Sequence, residues 1–214
     1  MNGGVAARVE SISGRFLGYP YIAHSLIGSP DTPEVFSDSL KGFDCVTYIE
    51  SVLALAYAGK AGSFPSFLKK LRYEDGKIDW RRRNHYMTQW LHNNVRRGLI
   101  DRVALRKQTN RKERVLDMVA GLPQRRQRFS CIPKRAFSAV QGEIRTGDLI
   151  FFASTRPHLD VFHCGVVVQK GDSLLLRHAS RSRGRVVEQE LESFLKSNRM
   201  AGILLARPVE RSSK

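Results

Sequence analysis

The clearest pattern in the chain lies at residues 45–58, where Val46, Ile49, Val52, Leu53, Ala56 and Tyr57 fall on one face of a 3.6-residue period. Asp44 stands at the N-cap position of this helix, and Gly59 and Gly62 follow its last apolar residue. Weaker periodic runs predict a short helix over 3–16, a second over 64–71, and a third over 86–95 with Trp90 and Leu91 facing inward. Between the first two helices, residues 19–43 carry Pro20, Gly28, Pro30, Pro33 and Gly42 and read as a long ordered loop. A loop of that length in a compact domain is commonly functional. After Gly142 the pattern changes. Short apolar or β-branched runs at 149–153, 161–169, 173–179, 185–188 and 203–206 predict strands, with a helical turn or two at 191–196. Residues 100–141 are basic and weakly periodic, and the pattern gives them no assignment. Helices followed by strands define an α+β class. The expectation is one domain over 1–214, helical through 1–141 and strand-rich through 142–214.

Composition narrows this picture. No apolar run is long enough to span a bilayer, and the first residues, Met1-Asn2-Gly3-Gly4-Val5-Ala6, show neither the basic nor the apolar region of a signal peptide. Three cysteines at irregular spacing make neither a disulfide framework nor the paired C-x2-C ligands of a structural zinc site. A free thiol with a chemical task is therefore a candidate, beside the commoner fate of an inert buried cysteine. The net charge is +16, and 16 Lys and Arg between Arg81 and Arg135 face only Asp101, Glu113 and Asp117. Such a stretch fits an anionic partner (nucleic acid, lipid headgroups or an acidic cell-wall polymer) as well as a solvated Arg-rich insertion. No aromatic residues interleave the basic run as a stacking platform would require.

Cys45 carries the strongest chemical signal. It follows Asp44 in the first turn of the best helix, where unsatisfied N–H groups and the positive end of the helix dipole favour thiolate over thiol. Two histidines complete the pattern. His163 opens His163-Cys164-Gly165-Val166-Val167-Val168 and His178 closes Leu174-Leu175-Leu176-Arg177-His178, with the tight-turn signal Gln169-Lys170-Gly171-Asp172 between them. An even loop centred on Lys170-Gly171 sets His163 directly opposite His178 on one sheet face, with Cβ atoms about 4.5–5.5 Å apart. Alternation turns Cys164 to the other face, where it is expected to fill core. Gly165 is expected to leave room beside His163. A thiol on a helix end and two imidazoles on adjacent strands fit nucleophile, general base and base-orienter. Two ordinary sheet histidines are the bland alternative; the facing pair combined with a capped cysteine outweighs it. His24 and His158 fall in loops and His92 on a helix, and His85 can line a cleft or the surface.

These segments resemble a known group. Phe43-Asp44-Cys45-Val46-Thr47-Tyr48-Ile49-Glu50, Leu159-Asp160-Val161-Phe162-His163-Cys164-Gly165 and Leu176-Arg177-His178-Ala179-Ser180 look like the Cys, D-x-x-H-x-G and H-A-S motifs of an N-acetylmuramoyl-L-alanine amidase branch of the NlpC-like cysteine peptidases. Phe16-Leu17-Gly18-Tyr19-Pro20-Tyr21, Leu71-Arg72-Tyr73-Glu74-Asp75-Gly76, Arg83-Asn84-His85-Tyr86 and Gly147-Asp148-Leu149-Ile150 extend the likeness over 16–207. The resemblance implies a papain-like α+β core with the cysteine helix packed on an antiparallel sheet. It implies hydrolysis of the amide joining a muramic acid lactyl group to L-Ala, with small anhydro-muropeptides as substrates. Carried over by position, Cys45, His163 and His178 are the catalytic set, and Asp160, Ser180, Arg83, His85 and Tyr86 belong to the cleft. It implies peptidoglycan fragments as partners, no cofactor or metal, and a place in the cell envelope or periplasm; nucleic acid is not an expected partner.

Three alternatives stay open at this point. An endopeptidase cutting the stem peptide after γ-D-Glu would use the same catalytic set. A zinc hydrolase could be built on His163, His178 and Cys45. A basic nucleic-acid-binding module would account for the charge and leave the Cys-His-His pattern without a purpose.

Overall fold

The computed structural model describes residues 4–59, 63–103 and 109–210. Gly62, expected near the end of the cysteine helix, lies outside them. Helix α1 (Val5–Arg15) leads into the loop segment, which contains a small hairpin, β1 (Ile27–Ser29) and β2 (Thr32–Val35). Helix α2 spans Cys45–Ala58, as the periodicity predicts. Its N-terminus is fixed by a capping box: Asp44 Oδ1 accepts from the backbone N–H of Val46 (3.0 Å) and Thr47 (2.8 Å), and Thr47 Oγ1 accepts from Asp44 N–H (3.0 Å). Gly59 ends the helix with a φ of 59°, a left-handed conformation that glycine adopts without steric cost. Helices α3 (Phe64–Arg72) and α4 (Met87–Arg96) follow.

A buried ion pair ties these helices together. Arg72 Nε donates to Glu50 Oε2 at 2.8 Å, with both side chains almost wholly removed from solvent. Trp90 Nε1 donates to the other Glu50 oxygen at 3.1 Å, and an Arg72 amino group donates to the Ser37 carbonyl. Both Glu50 oxygens are thereby matched, and two of the three guanidinium nitrogens of Arg72, which is how a buried charge is tolerated.

The main sheet has six antiparallel strands in the order β3–β10–β6–β7–β8–β9, where β3 is Ile100–Arg102, β6 Leu149–Ala153, β7 Val161–Lys170, β8 Ser173–Ser180, β9 Arg185–Glu190 and β10 Gly202–Pro208. Both faces are covered, so β6 is buried along its whole length. On one face Phe151, Cys164, Val166 and Val168 pack with α1 and α2. On the other, Phe152, Val167, Leu176 and Leu205 pack with the short helices α5 (Phe137–Val140) and α6 (Leu191–Ser197). This is the α+β arrangement expected, with the cysteine helix laid on an antiparallel sheet. Among the described residues no helix is long and apolar enough to cross a membrane.

The stretch before residue 142 also contains strands. Besides β1, β2 and β3, the basic region folds as a separate hairpin of β4 (Asn110–Leu116) and β5 (Arg125–Cys131). Its pattern is hard to read because arginine and lysine occupy both faces. Lys112 and Arg114 lie half-buried on one side, while Arg111 and Glu113 are exposed on the other. One Arg114 amino group donates to the Ser154 carbonyl at 2.7 Å, so a long charged side chain sits where an apolar one would signal a strand.

The β7–β8 hairpin closes with the even loop that the shared face of the two histidines requires, but one position further on. Lys170 pairs with Ser173 and Val166 with Arg177, so Gly171-Asp172 form the turn and Gly171 takes a φ of 57°. Continued, this register sets His178 across from Gly165, and His163 lies diagonal to His178. A Cβ on Gly165 would fall 2.6 Å from the Arg177 carbonyl oxygen and 3.1 Å from the His178 Cβ. Gly165 therefore makes room for β8 and the His178 backbone, where the sequence led us to expect space for a group beside His163.

Candidate active site

Three elements converge on Cys45: the first turn of α2, the start of β7, and the extended segment around Tyr21. Strand β7 is held at its start by Asp160. This buried carboxylate accepts from the backbone N–H and the hydroxyl of Thr88 (2.7 and 2.6 Å) in the first turn of α4, and from Val161 N–H at 2.7 Å. Asp160 thus caps α4 from a distance and locks the strand that carries His163 three residues later. With those bonds made and the residue buried, Asp160 has no surface to offer a ligand; its place is structural, not the cleft position expected of it.

His163 and His178 meet edge to face, with ring centroids 4.7 Å apart. His163 Nε2 and His178 Nδ1 are 2.6 Å apart, a strong hydrogen bond. Phe152 and Phe194 stack on the His163 ring and fix its plane. Since Nε2 of His163 is taken by His178, Nδ1 is the nitrogen left for Cys45. Burial, reinforced by the charge of His163, pushes the His178 pKa down to about 3. His178 is therefore neutral at physiological pH, and its Nδ1 lone pair can accept the His163 Nε2 proton while His163 gains or loses a proton at Nδ1. This fixes the tautomer of the pair.

Cys45 is half-buried. Its pKa is pushed down to about 5, led by a hydrogen bond from Cys164 and helped by the hydrogen bond and charge of His163. Burial and the nearby Asp44 carboxylate act in the opposite direction. The helix cap that fixes Cys45 thus places a like charge near the thiolate, and the two β7 side chains overcome it. A sulfur of this kind is anionic at neutral pH and nucleophilic.

Tyr21 also faces this centre. Burial raises its pKa, with the charges of Cys45 and Asp44 adding to the effect and Arg181 opposing it. The segment is held by Tyr21 N–H donating to the Gly184 carbonyl (2.9 Å) and by Phe43 N–H donating to the Pro20 carbonyl (3.0 Å), directly before Asp44. Gly42 permits this close approach: a Cβ there would lie 2.7 Å from the Pro20 oxygen. Tyr21 and Arg181 were not among the site residues read from the sequence, although Tyr21 closes a segment that carried the family likeness.

A groove of about 520 Å³ lies against the histidines, lined by Phe162, His163, His178, Ser180, Arg181 and Phe194 among others. Ser180 is therefore brought to the histidine pair, and its hydroxyl lies 3.2 Å from that of Ser182. The other three expected cleft residues are engaged elsewhere. Arg83 forms a bond of 2.9 Å to each oxygen of Glu34, His85 Nε2 lies 2.7 Å from the Trp80 carbonyl, and the Tyr86 hydroxyl accepts from Val119 N–H at 3.2 Å. They link the β1–β2 hairpin and the loop after β4 to the segment before α4. Among the described residues, no three His, Cys, Asp or Glu side chains gather as metal ligands.

The fold and this cluster together define an α+β protein with a thiolate-forming cysteine beside a histidine pair. Residues 11–203 match the model of the AmiA-like, N-acetylmuramoyl-L-alanine amidase-like family, and the chain belongs to that family. A crystal structure of an N-acetylmuramoyl-L-alanine amidase from Bacteroides uniformis superposes with a TM-score of 0.86 at 28% identity, covering 96% of this chain and 99% of that one. A structure described as a putative xylanase from Bacteroides fragilis matches with a TM-score of 0.82 at 28% identity, over 92% of this chain and 99% of the other. A Legionella pneumophila protein shares the fold with a TM-score of 0.84 at 24% identity, over 97% and 90% of the two chains. No curated protein matches the chain significantly.

Proposed function

We propose that this protein is a thiol-dependent N-acetylmuramoyl-L-alanine amidase that hydrolyses the lactyl–L-Ala amide of muropeptides, with small anhydro-muropeptides as its substrates. The observation that carries this reading is the 2.6 Å bond joining His163, which bears on the Cys45 thiol, to a His178 that is neutral at physiological pH. The family match and the likeness to the Bacteroides uniformis amidase support the lactyl–L-Ala amide as the bond cleaved.

Cys45 Sγ attacks the lactyl carbonyl carbon, and the oxyanion that forms lies at the first turn of α2, where the Cys45 backbone N–H is a donor. Collapse expels the L-Ala amine, which takes its proton from Nδ1 of His163. The lactyl thioester is then hydrolysed by water that gives a proton to the same nitrogen, restoring thiolate and imidazolium. His178 moves no proton; it accepts from Nε2 of His163 throughout and stabilises the imidazolium. Peptidoglycan fragments are the partners on this reading, and their stem-peptide carboxylates suit a positively charged protein. Arg181, Ser180 and Tyr21 border the reacting groups and are the side chains proposed to meet the substrate.

Digestion of a purified anhydro-disaccharide peptide, followed by mass spectrometry, tests the proposal. Release of an intact disaccharide and an intact stem peptide beginning at L-Ala supports it. Cleavage within the stem after γ-D-Glu would replace it with an endopeptidase.

A further inference from the structure

The groove beside the histidine pair carries a cation and no anion. Arg181 lines it together with the hydroxyls of Ser180 and Ser182, and no Asp or Glu is among its lining residues. Arg72, Arg83, Arg177 and Arg207 each pair with a carboxylate. Arg181 is exposed and has no such partner among the described residues. Its backbone is nonetheless fixed: the Arg181 carbonyl accepts from Gly184 N–H at 3.2 Å, and the Gly184 carbonyl accepts from Tyr21 N–H at 2.9 Å. His178, which is 3% exposed, brings a second unmatched group to the groove lining. Its Nδ1 accepts from His163, so its hydrogen is on Nε2, and that buried atom has no acceptor among the described residues. A buried donor without an acceptor is costly. Both groups call for an oxygen that the protein does not supply.

Resting on the amidase reading, we propose that this groove is the subsite for the departing stem peptide, and that Arg181 sets its specificity by pairing with the free α-carboxylate of the second residue, a γ-linked D-Glu. The direction follows from the histidines. Nε2 of His163 is turned to His178, and the leaving amine takes its proton from the other nitrogen, so the peptide departs on the imidazole side of Cys45. The groove lies on that side: it is lined by His163, His178 and Arg181, and Cys45 is not among its lining residues. The chemistry follows from the substrate. A γ-linked glutamate continues the chain through its side-chain carboxyl and leaves its α-carboxylate free, one residue beyond the amine that is released. A guanidinium holds a carboxylate through two parallel charge-assisted N–H···O bonds, which a neutral carboxamide cannot match. The Ser180 and Ser182 hydroxyls, 3.2 Å apart, stand beside Arg181 as further donors. Phe162 and Phe194 supply the apolar wall that a binding groove of this kind needs.

The test pairs two substrates with three variants. One anhydro-muropeptide carries L-Ala-γ-D-Glu; the other carries D-isoglutamine in its place, so that the α-carboxylate is a carboxamide. The wild-type KM for the acid should be lower by about threefold or more, with kcat little changed. Arg181→Gln should abolish the difference and Arg181→Lys should keep part of it. Arg183→Gln, on the same turn but outside the groove lining, should keep all of it. Equal KM values for the wild type overturn the proposal, as does a preference that survives Arg181→Gln intact. An equal loss in Arg183→Gln would replace the pairing with a general effect of net charge. A second measurement needs no turnover: the free dipeptides L-Ala-γ-D-Glu and L-Ala-D-isoglutamine are titrated into the wild type and Arg181→Gln and followed by NMR. The same preference, lost in Arg181→Gln, is expected. If it appears in a protein that releases no stem peptide, the subsite stands and the amidase reading alone falls. Stem-peptide release with no preference for the carboxylate removes the role of Arg181 and leaves the amidase reading in place.

Discussion

Replacing His178 isolates the part of the site that transfers no proton. His178→Ala deletes the 2.6 Å bond between its Nδ1 and Nε2 of His163. That bond is charge-assisted in the step where His163 carries the proton it hands to the leaving amine. A hydrogen bond to a charged group contributes about 1.5–3 kcal/mol, and about 1.4 kcal/mol is tenfold in rate, so kcat/KM should fall about 10- to 150-fold. The loss should appear in kcat, because the bond strengthens as His163 carries charge in the reaction. His178→Asn or His178→Gln, which present an amide oxygen to the same nitrogen, should recover part of it. The assay is stem-peptide release from an anhydro-muropeptide, run well below the melting temperature of each variant, since the His178 ring also packs edge-on against Phe194. His163→Ala should be the more severe change, as it removes the base itself. A His178→Ala loss below about threefold would show that the bond orients nothing that matters. A loss larger than that of His163→Ala would mean the two roles are reversed.

Other consequences can be measured without substrate. Because the folded pKa of His178 is pushed down from 6.5 to about 3, the unfolded chain takes up a proton at this site before the folded chain does. Its contribution to stability is therefore complete above pH 6.5 and is lost as pH falls toward 3; urea midpoints between pH 7 and 4 should show this, and His178→Gln should flatten the slope. Glu50→Ala strands the buried Arg72 guanidinium and should cost about 3–5 kcal/mol in urea unfolding; a loss below about 1 kcal/mol would contradict the pairing. Asp160→Ala should lower both melting temperature and kcat, because it frees the start of β7. It should leave the pH profile of Cys45 alkylation in place; a shifted profile would show that Asp160 acts on the sulfur directly.

Much of this site was legible before any coordinates. The extent of α2 follows from its single apolar face and from the Asp44 cap, which folding leaves intact because both are local. The shared face of His163 and His178 follows from the period of two and an even turn, and the parity survives although the turn moves by one residue. The direct opposition of the two histidines did not survive, because parity fixes the face and only turn geometry fixes the partner. Cys164 shows a different limit. Its direction and its burial in the core were readable, but which face of the sheet α2 would cover was not, and so its 3.2 Å bond to the Cys45 carbonyl was out of reach. The β4–β5 hairpin was hidden for the reason given by Arg114, whose stem is half-buried while its charge finds a carbonyl. Asp160 was picked out by its motif and not by its bonds, since its partner Thr88 lies 72 residues away. Arg83 likewise has a distant partner, Glu34.

The claim on which the rest depends is that the Cys45 sulfur forms and breaks the bond to the substrate acyl group. Hydrolysis of an anhydro-disaccharide peptide by the wild type and by Cys45→Ala, with circular dichroism confirming that both are folded, addresses it most directly. The wild type should release the stem peptide steadily and Cys45→Ala should release none. Equal turnover by the two proteins would contradict the claim.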